Sequence, residues 1–229
     1  MEMVLAHQDW QAIQLSLLLA GITTVVLLVG GTPLAWWLAT SRRPIRWWVE
    51  SLVALPIVLP PTVLGFYLLI FLGTGGWLGN LWQSLTGHVL AFTLPGLVLA
   101  SVLYSLPFVI QPLQRTFETI GQPTLEAAWS LGAGPWDTFW HVVLPLARRG
   151  YLTAGILGFA HTLGEFGVVL MVGGNIPGRT QVISIVLYDH VENMDYAQAH
   201  LLSSLLLGFS FLALLILFYL NRRPPGRLP

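Results

Sequence analysis

Neither lysine nor cysteine occurs in these 229 residues. Without cysteine there is no disulfide, no thiolate nucleophile and no thiolate-held metal, and the redox compartment leaves no trace in the chain. Without lysine no Gly-Lys-Ser/Thr phosphate loop can be built. If the chain works with ATP, a separate protein must hydrolyse it. Charge of either sign is scarce, at 9% of residues against about a quarter in soluble domains. Apolar side chains take its place: 55% of residues are hydrophobic and the mean hydropathy is +0.73. Lipid is therefore the main solvent, and one membrane domain uses the whole length, 1–229. No internal repeat and no linker divides it. No basic stretch or small-residue cleavage site precedes the first apolar run, so a cleaved signal peptide is not expected.

Five apolar runs are long enough to cross a bilayer, at about 13–39, 47–71, 88–110, 150–172 and 199–220. The expected fold is an all-α membrane protein of five transmembrane helices. Pro56 and the pair Pro60-Pro61 interrupt the second run, and residues 72–87 read as an uncharged, glycine-rich loop. Trp36 and Trp37 close the first run in the manner of an interfacial belt. Arg42, Arg43 and Arg46 follow the first run, Arg115, Arg148 and Arg149 lie between the third and fourth, and Arg222, Arg223 and Arg227 follow the last. Only Arg179 lies on the opposite side. The positive-inside rule then puts the N-terminus outside and the C-terminus in the cytoplasm of a cell that holds the chain in its inner membrane.

Between the third and fourth runs, residues 122–145 form a polar, punctuated interval that reads as two short helices meeting at a turn. Thr124 is the expected N-cap, with Glu126 in the first turn near the positive end of the helix dipole. Gly132 and Gly134 end that helix, Pro135 starts a second, and Pro145 opens the next apolar run. The order is Glu126-Ala127-Ala128, three residues, Gly132, nine residues, the aliphatic Val142, one residue, then Leu144-Pro145. This spacing resembles the coupling loop of ABC importer permeases, where Ile is usual at the Val142 place. The resemblance implies a cytoplasmic helix pair that docks into a cleft of an ATPase subunit. Apolar knobs such as Leu131, Trp136 and Phe139 would enter the cleft.

Glu165 is the acid placed well inside a run, and His161 precedes it by four residues, on one helical face if the helix is continuous. A carboxylate in lipid is expensive and marks a functional hypothesis with a partner to be named. A satisfied structural pair, a lining group of a path or gate, and a proton relay are all open readings; two residues are too few for a zinc site. An intramembrane hydrolase built on the pair lacks a nucleophile beside it. Ala160, Gly164 and Gly167 would form a small-residue stripe on the same helix, and Gly96 and Ala100 another.

The segments Leu163-Gly164-Glu165-Phe166-Gly167, Asn175-Ile176-Pro177-Gly178, Leu59-Pro60-Pro61-Thr62-Val63-Leu64-Gly65 and Leu131-Gly132-Ala133-Gly134 narrow the family. Together they resemble ModB-type molybdate permeases, with sulfate/thiosulfate permeases as the nearest alternative. The resemblance implies a homodimer, two cytoplasmic ABC ATPase subunits that bind ATP and Mg, and an external oxyanion-binding protein. It implies no catalytic residue, cofactor or metal in this chain and no nucleic-acid partner. Pro60, Pro61, His161, Gly164, Glu165, Phe166 and Gly167 are the expected path or gate residues. With no Arg or Lys inside the runs, selectivity is expected to reside mainly in the external protein.

Overall fold

A computed structural model of the chain describes residues 7–221. Arg222, Arg223 and Arg227, on which part of the charge asymmetry rests, lie outside these residues. Ten α-helices, and no strand, occur among the described residues. Helix α1 covers His7–Thr40, α2 Ile45–Val58, α3 Pro61–Leu72, α4 Trp77–Thr86 and α5 Leu94–Ser130. Next come α6 Pro135–Thr138, a π-helical turn Phe139–Val143, and α7 Leu144–Leu163. Then follow α8 Gly167–Gly173, α9 Ile183–Glu192 and α10 Tyr196–Asn221. Three helices, α1, α5 and α10, are each long and apolar enough to cross a membrane, and the number reaches five if each of two bent helix pairs is counted as one span.

Several boundaries differ from the sequence expectation, each for a local reason. The second span is bent by 114° between α2 and α3. A residue before proline is pushed out of the helical region, and here two in succession obey. Leu59 has ψ 136° and Pro60 has ψ 134°. The expected loop at 72–87 contains α4, which ends at Gly87 with φ +75°. The third span starts at Leu94 rather than His88, because Thr93 caps it by accepting the Gly96 N–H at 3.4 Å. It then runs on through the first half of the punctuated interval, bending where Gly121 adopts φ +72°. Thr124 is consequently no N-cap: the helix has already resumed after Gly121, and the Thr124 hydroxyl donates back across that kink to the Ile120 carbonyl.

The fourth span breaks after Leu163 and resumes at Gly167 with a 61° bend. Glu165 therefore sits in a non-helical link, and the stripe of Ala160, Gly164 and Gly167 does not form. Gly96 does pack closely, with its Cα against the backbone of Leu90.

The core is the contact of α1, α5 and α7. Leu27, Ala35, Leu38, Val109, Ile110, Leu113 and Ala154 are buried there. Lipid is as apolar as leucine, so close packing rather than water exclusion holds such helices together. Trp36 and Trp37, at the end of the first run, are partly buried and pack against this core. Trp36 meets Phe117 edge-on at 5.2 Å and Phe139 at 6.2 Å. These contacts place the C-terminal end of α1, with Arg42, Arg43 and Arg46 just beyond it, at the same end of the bundle as the punctuated interval. Arg46 bonds Glu118 at 2.6 Å there. At the other end, His190 lies 3.0 Å from the buried carboxylate of Asp9.

Candidate functional site

Two surfaces deserve comparison, one at each end of a pair of long helices. The first is the interval between α5 and α7. After Ser130 the chain turns at Leu131 and at Gly132, whose φ is +86°. A left-handed residue just past a helix end is the usual glycine position, and Ala133 N–H closes the turn on the Ala128 carbonyl at 3.1 Å. Pro135 opens α6 from a Gly134 in extended conformation. The second short helix does not stop before Pro145. It flows through the π-helical turn into α7, with the Leu144 N–H donating to Phe139 O. Proline lacks an N–H and clashes with the preceding turn, and one π turn is a common way to absorb such a defect without ending the helix.

The surface of this interval is apolar and unprotected. Leu131 is 89% exposed and Trp136 77% exposed. Trp129 and Trp140, not singled out in the sequence, are exposed beside them. Glu126, Ala127 and Pro145 are also exposed, Leu144 is partly buried, and Ala128 is buried. Phe139 departs from its expected role as a knob. It turns inward onto Trp36 and belongs to the bundle core. A one-residue step turns the side chain by about 100° around the helix, and Trp140 takes the outward place.

The second surface is a cavity of about 470 Å³ lined by Pro61, Thr62, Tyr104 and Ala160, and by the run His161, Gly164, Glu165, Phe166 and Gly167. Six of the seven expected path residues are therefore brought together, from segments about 100 positions apart. Pro60 is the exception; it forms the break before α3. Close approach of α3 to α8 shapes the rim. A Cβ on Gly167 would lie 3.0 Å from Pro61 Cβ, and one on Gly65 would lie 2.9 Å from Met171 Cβ. Among the described residues no Arg lines the cavity.

Glu165 is buried against α5. Ser101 donates to its Oε2 at 2.6 Å and Ser105 to its Oε1 at 2.7 Å. A hydroxyl has one proton and two lone pairs. Having donated to Glu165, Ser105 must accept from its other neighbours, His161 Nδ1 at 2.9 Å and Thr162 Oγ1 at 2.8 Å. The direct separation of His161 Nδ1 from Glu165 Oε1 is 3.8 Å, so Ser105 mediates what the sequence suggested as a pair. The imidazole stacks on Phe108 at 3.7 Å. Ser184, at the start of α9, donates to the Glu165 backbone carbonyl. The serines were missed in the sequence reading, although Ser101 and Ser105 stand four apart on an apolar helix and so share a face.

On one side the two surfaces are joined by unbroken helix: from Pro135 through the π-helical turn to His161 there is roughly 40 Å of rise at 1.5 Å per residue, whereas α5 is interrupted at Gly121 on the way from Ser130 back to Ser101. The interval and the Glu165 link thus lie at opposite ends of α7.

Residues 31–224 match the family described as the inner membrane component of binding-protein-dependent transport systems. The chain belongs to this family. It is thus a multi-pass inner-membrane transport subunit and not an enzyme, which removes the hydrolase alternative. Within the family it is 58% identical, over 98% of its length and 99% of the relative's, to the molybdenum transport system permease protein ModB of Azotobacter vinelandii. The ModB protein of Escherichia coli K12 is 34% identical over 83% of each chain. The sulfate transport system permease protein CysT of Synechocystis sp. is also 34% identical, over 90% of this chain and 70% of that one. Among solved structures, a bacterial alginate ABC transporter in complex with its oligosaccharide-bound periplasmic protein superposes with a TM-score of 0.71 at 18% identity. That match covers 94% of this chain and 78% of the other. A second structure of a bacterial alginate importer gives 0.73. At this identity the likeness concerns the fold, which is that of an ABC importer permease.

Proposed function

We propose that this chain is the membrane permease of an ATP-driven molybdate importer. The carrying observation is the 58% identity to a molybdenum permease along nearly the entire length of both chains, against 34–35% for the sulfate permeases. Tungstate has nearly the same shape and charge as molybdate and is expected to share the path.

The working unit is a homodimer with two ATPase subunits on the cytoplasmic side and an external binding protein that delivers the oxyanion. ATP and Mg are bound by the ATPase, in keeping with a chain that has no lysine for a phosphate loop. The arginines gathered near the 122–145 interval favour a cytoplasmic placement for it and an external N-terminus. Leu131, Trp129, Trp136 and Trp140 supply the apolar contact, and Glu126 and the turn at Gly132 fix its shape. Closure of the ATPase dimer would move the interval, and α5 and α7 would carry that movement as levers to the cavity.

The cavity offers hydroxyls, one imidazole and one acid, with no fixed cation. Such walls allow an oxyanion dianion to pass and leave, which conduction needs. Selectivity then rests on the external protein. The test is ATP-dependent uptake by the reconstituted complex in the presence of competing oxyanions. Molybdate and tungstate should compete with each other and sulfate only weakly; preferential uptake of sulfate would overturn the substrate assignment. A tight molybdate site on the isolated permease dimer would contradict the division of labour.

A further inference from the structure

The geometry points to Glu165 as a positioning residue for transport: its carboxylate is a latch that holds the broken fourth span against α5, released when the two lever helices part. This rests on the coupling reading above and adds the element on which the levers act.

Three observations carry it. The acid lies in the non-helical link at 164–166, just after the Gly164 N–H closes α7 on the Ala160 and His161 carbonyls. Its own N–H reaches only the Thr162 carbonyl, at 3.3 Å, in a tight turn. The hydrogen bonds from Ser101 and Ser105 to its side chain both come from α5, while its carbonyl is held from α9 by Ser184. Beyond the last turn of α7, the link is thus fixed by side-chain bonds to two other elements, α5 and α9. Second, the link and α5 are walls of the same cavity, which Glu165, Gly164, Phe166 and Tyr104 all line. Any separation of α5 from the link changes the width of that cavity. Third, the link follows directly on α7, the helix continuous with the exposed interval, and Ser101 and Ser105 lie on α5, the other helix leaving it.

Glue of a purely structural kind would serve as well away from the path, between helices that do not both lead to the force-receiving surface. Here the bonds stand where the levers converge. Hydroxyl-to-carboxyl bonds suit a contact that is broken and remade in each cycle, since a serine hydroxyl turns freely to another acceptor.

The chain has no cysteine, so Ala160→Cys, partly buried in the cavity wall, introduces its one thiol. Its reaction with a small water-soluble methanethiosulfonate reports the opening of the cavity. The complete complex in proteoliposomes is labelled without nucleotide and after trapping with ATP and vanadate, and uptake and ATP turnover are measured in parallel. With Glu165 intact, the labelling rate should differ between the two states. In Glu165→Ala the nucleotide-free rate should rise to that of the more open state. Uptake should fall tenfold or more, and ATP turnover should lose its dependence on the loaded binding protein. Glu165→Gln, which keeps the shape and bonds both serines, should restore most of the uptake. Ser101→Ala removes one donor without touching the acid and should give an intermediate labelling rate, which decides the matter if Glu165→Ala does not assemble. Labelling that still responds to nucleotide in Glu165→Ala or Ser101→Ala, with normal uptake, overturns the latch and leaves the coupling reading standing. Labelling indifferent to nucleotide with Glu165 intact overturns the coupling reading and the latch together.

Discussion

Replacing Gly132 by valine tests the lever at its most exposed joint. The glycine has φ +86°, and a Cβ built on it meets nothing within 4 Å. A larger side chain is therefore opposed by the backbone and not by a neighbour. An L-residue held in the left-handed region costs about 1–2 kcal/mol, and a β-branched one sits at the unfavourable end of that range. That cost lowers the population of the native turn by a factor of roughly 5–30. The turn is the sole connection between Ser130 and Pro135, so losing it swings Trp136 away from Leu131 and divides the apolar surface. Insertion of the spans does not depend on it. Gly132→Val should leave the amount of membrane-inserted protein unchanged and reduce ATP-dependent uptake by about that same factor. Gly132→Asn, a residue that tolerates positive φ, should retain more uptake than Gly132→Val. Gly134 is the internal control, because its φ is −74° and its surroundings are equally open; Gly134→Ala should be close to neutral. Normal uptake by Gly132→Val would refute the reasoning, as would equal losses at the two glycines.

Other substitutions separate the faces of the same interval and test the packing behind it. Leu131→Ala with Trp136→Ala should abolish co-purification of the ATPase subunit while moving stability by less than about 0.5 kcal/mol, as expected for exposed positions. Phe139→Ala should show the reverse pattern. It removes a ring packed on Trp36 and should destabilise the bundle by about 2–3 kcal/mol, below the roughly 3–5 kcal/mol of a fully buried phenylalanine, as read by thermal melting in detergent. Gly158→Val places a Cβ 2.5 Å from Val109 Cγ2 where α7 crosses α5. Overpacking of this kind costs about 1–3 kcal/mol, and the variant should melt earlier than Gly155→Ala, whose Cβ has ordinary contact with Leu28 at 3.5 Å.

The residues that sequence reasoning reads well are those whose constraint is local. Gly132 and Pro135 announce a helix end and a helix start through their own backbone preferences, and the structure has both. Pro60-Pro61 announces a break, because each proline restricts the residue before it. A 114° bend, however, depends on what α3 packs against, and the approach of Gly65 to α8 is invisible along the chain. Composition counts apolar residues and says nothing of which rings meet, so the contact of Trp36 with Phe117, 81 positions away, is invisible along the chain. The same holds for Phe139 and Trp140, which are both aromatic and adjacent; only the rotation with which the helix enters its π turn decides which faces out.

Glu165 gives the clearest division between what is local and what is not. Its presence in an apolar run demanded a partner, and the nearest titratable side chain at helical spacing was His161. That inference assumed a continuous helix. The break after Leu163 removes the assumption and turns the acid toward serines on α5, 60 and 64 positions away. A serine pair in a membrane helix is weak evidence by itself, because a serine can bond its own backbone one turn back. Combined with an unpaired acid elsewhere in the bundle, it becomes a prediction: two hydroxyls on one face can satisfy one carboxylate. The demand for satisfaction was legible at Glu165 and the supply at Ser101 and Ser105, and the fold is what joins them.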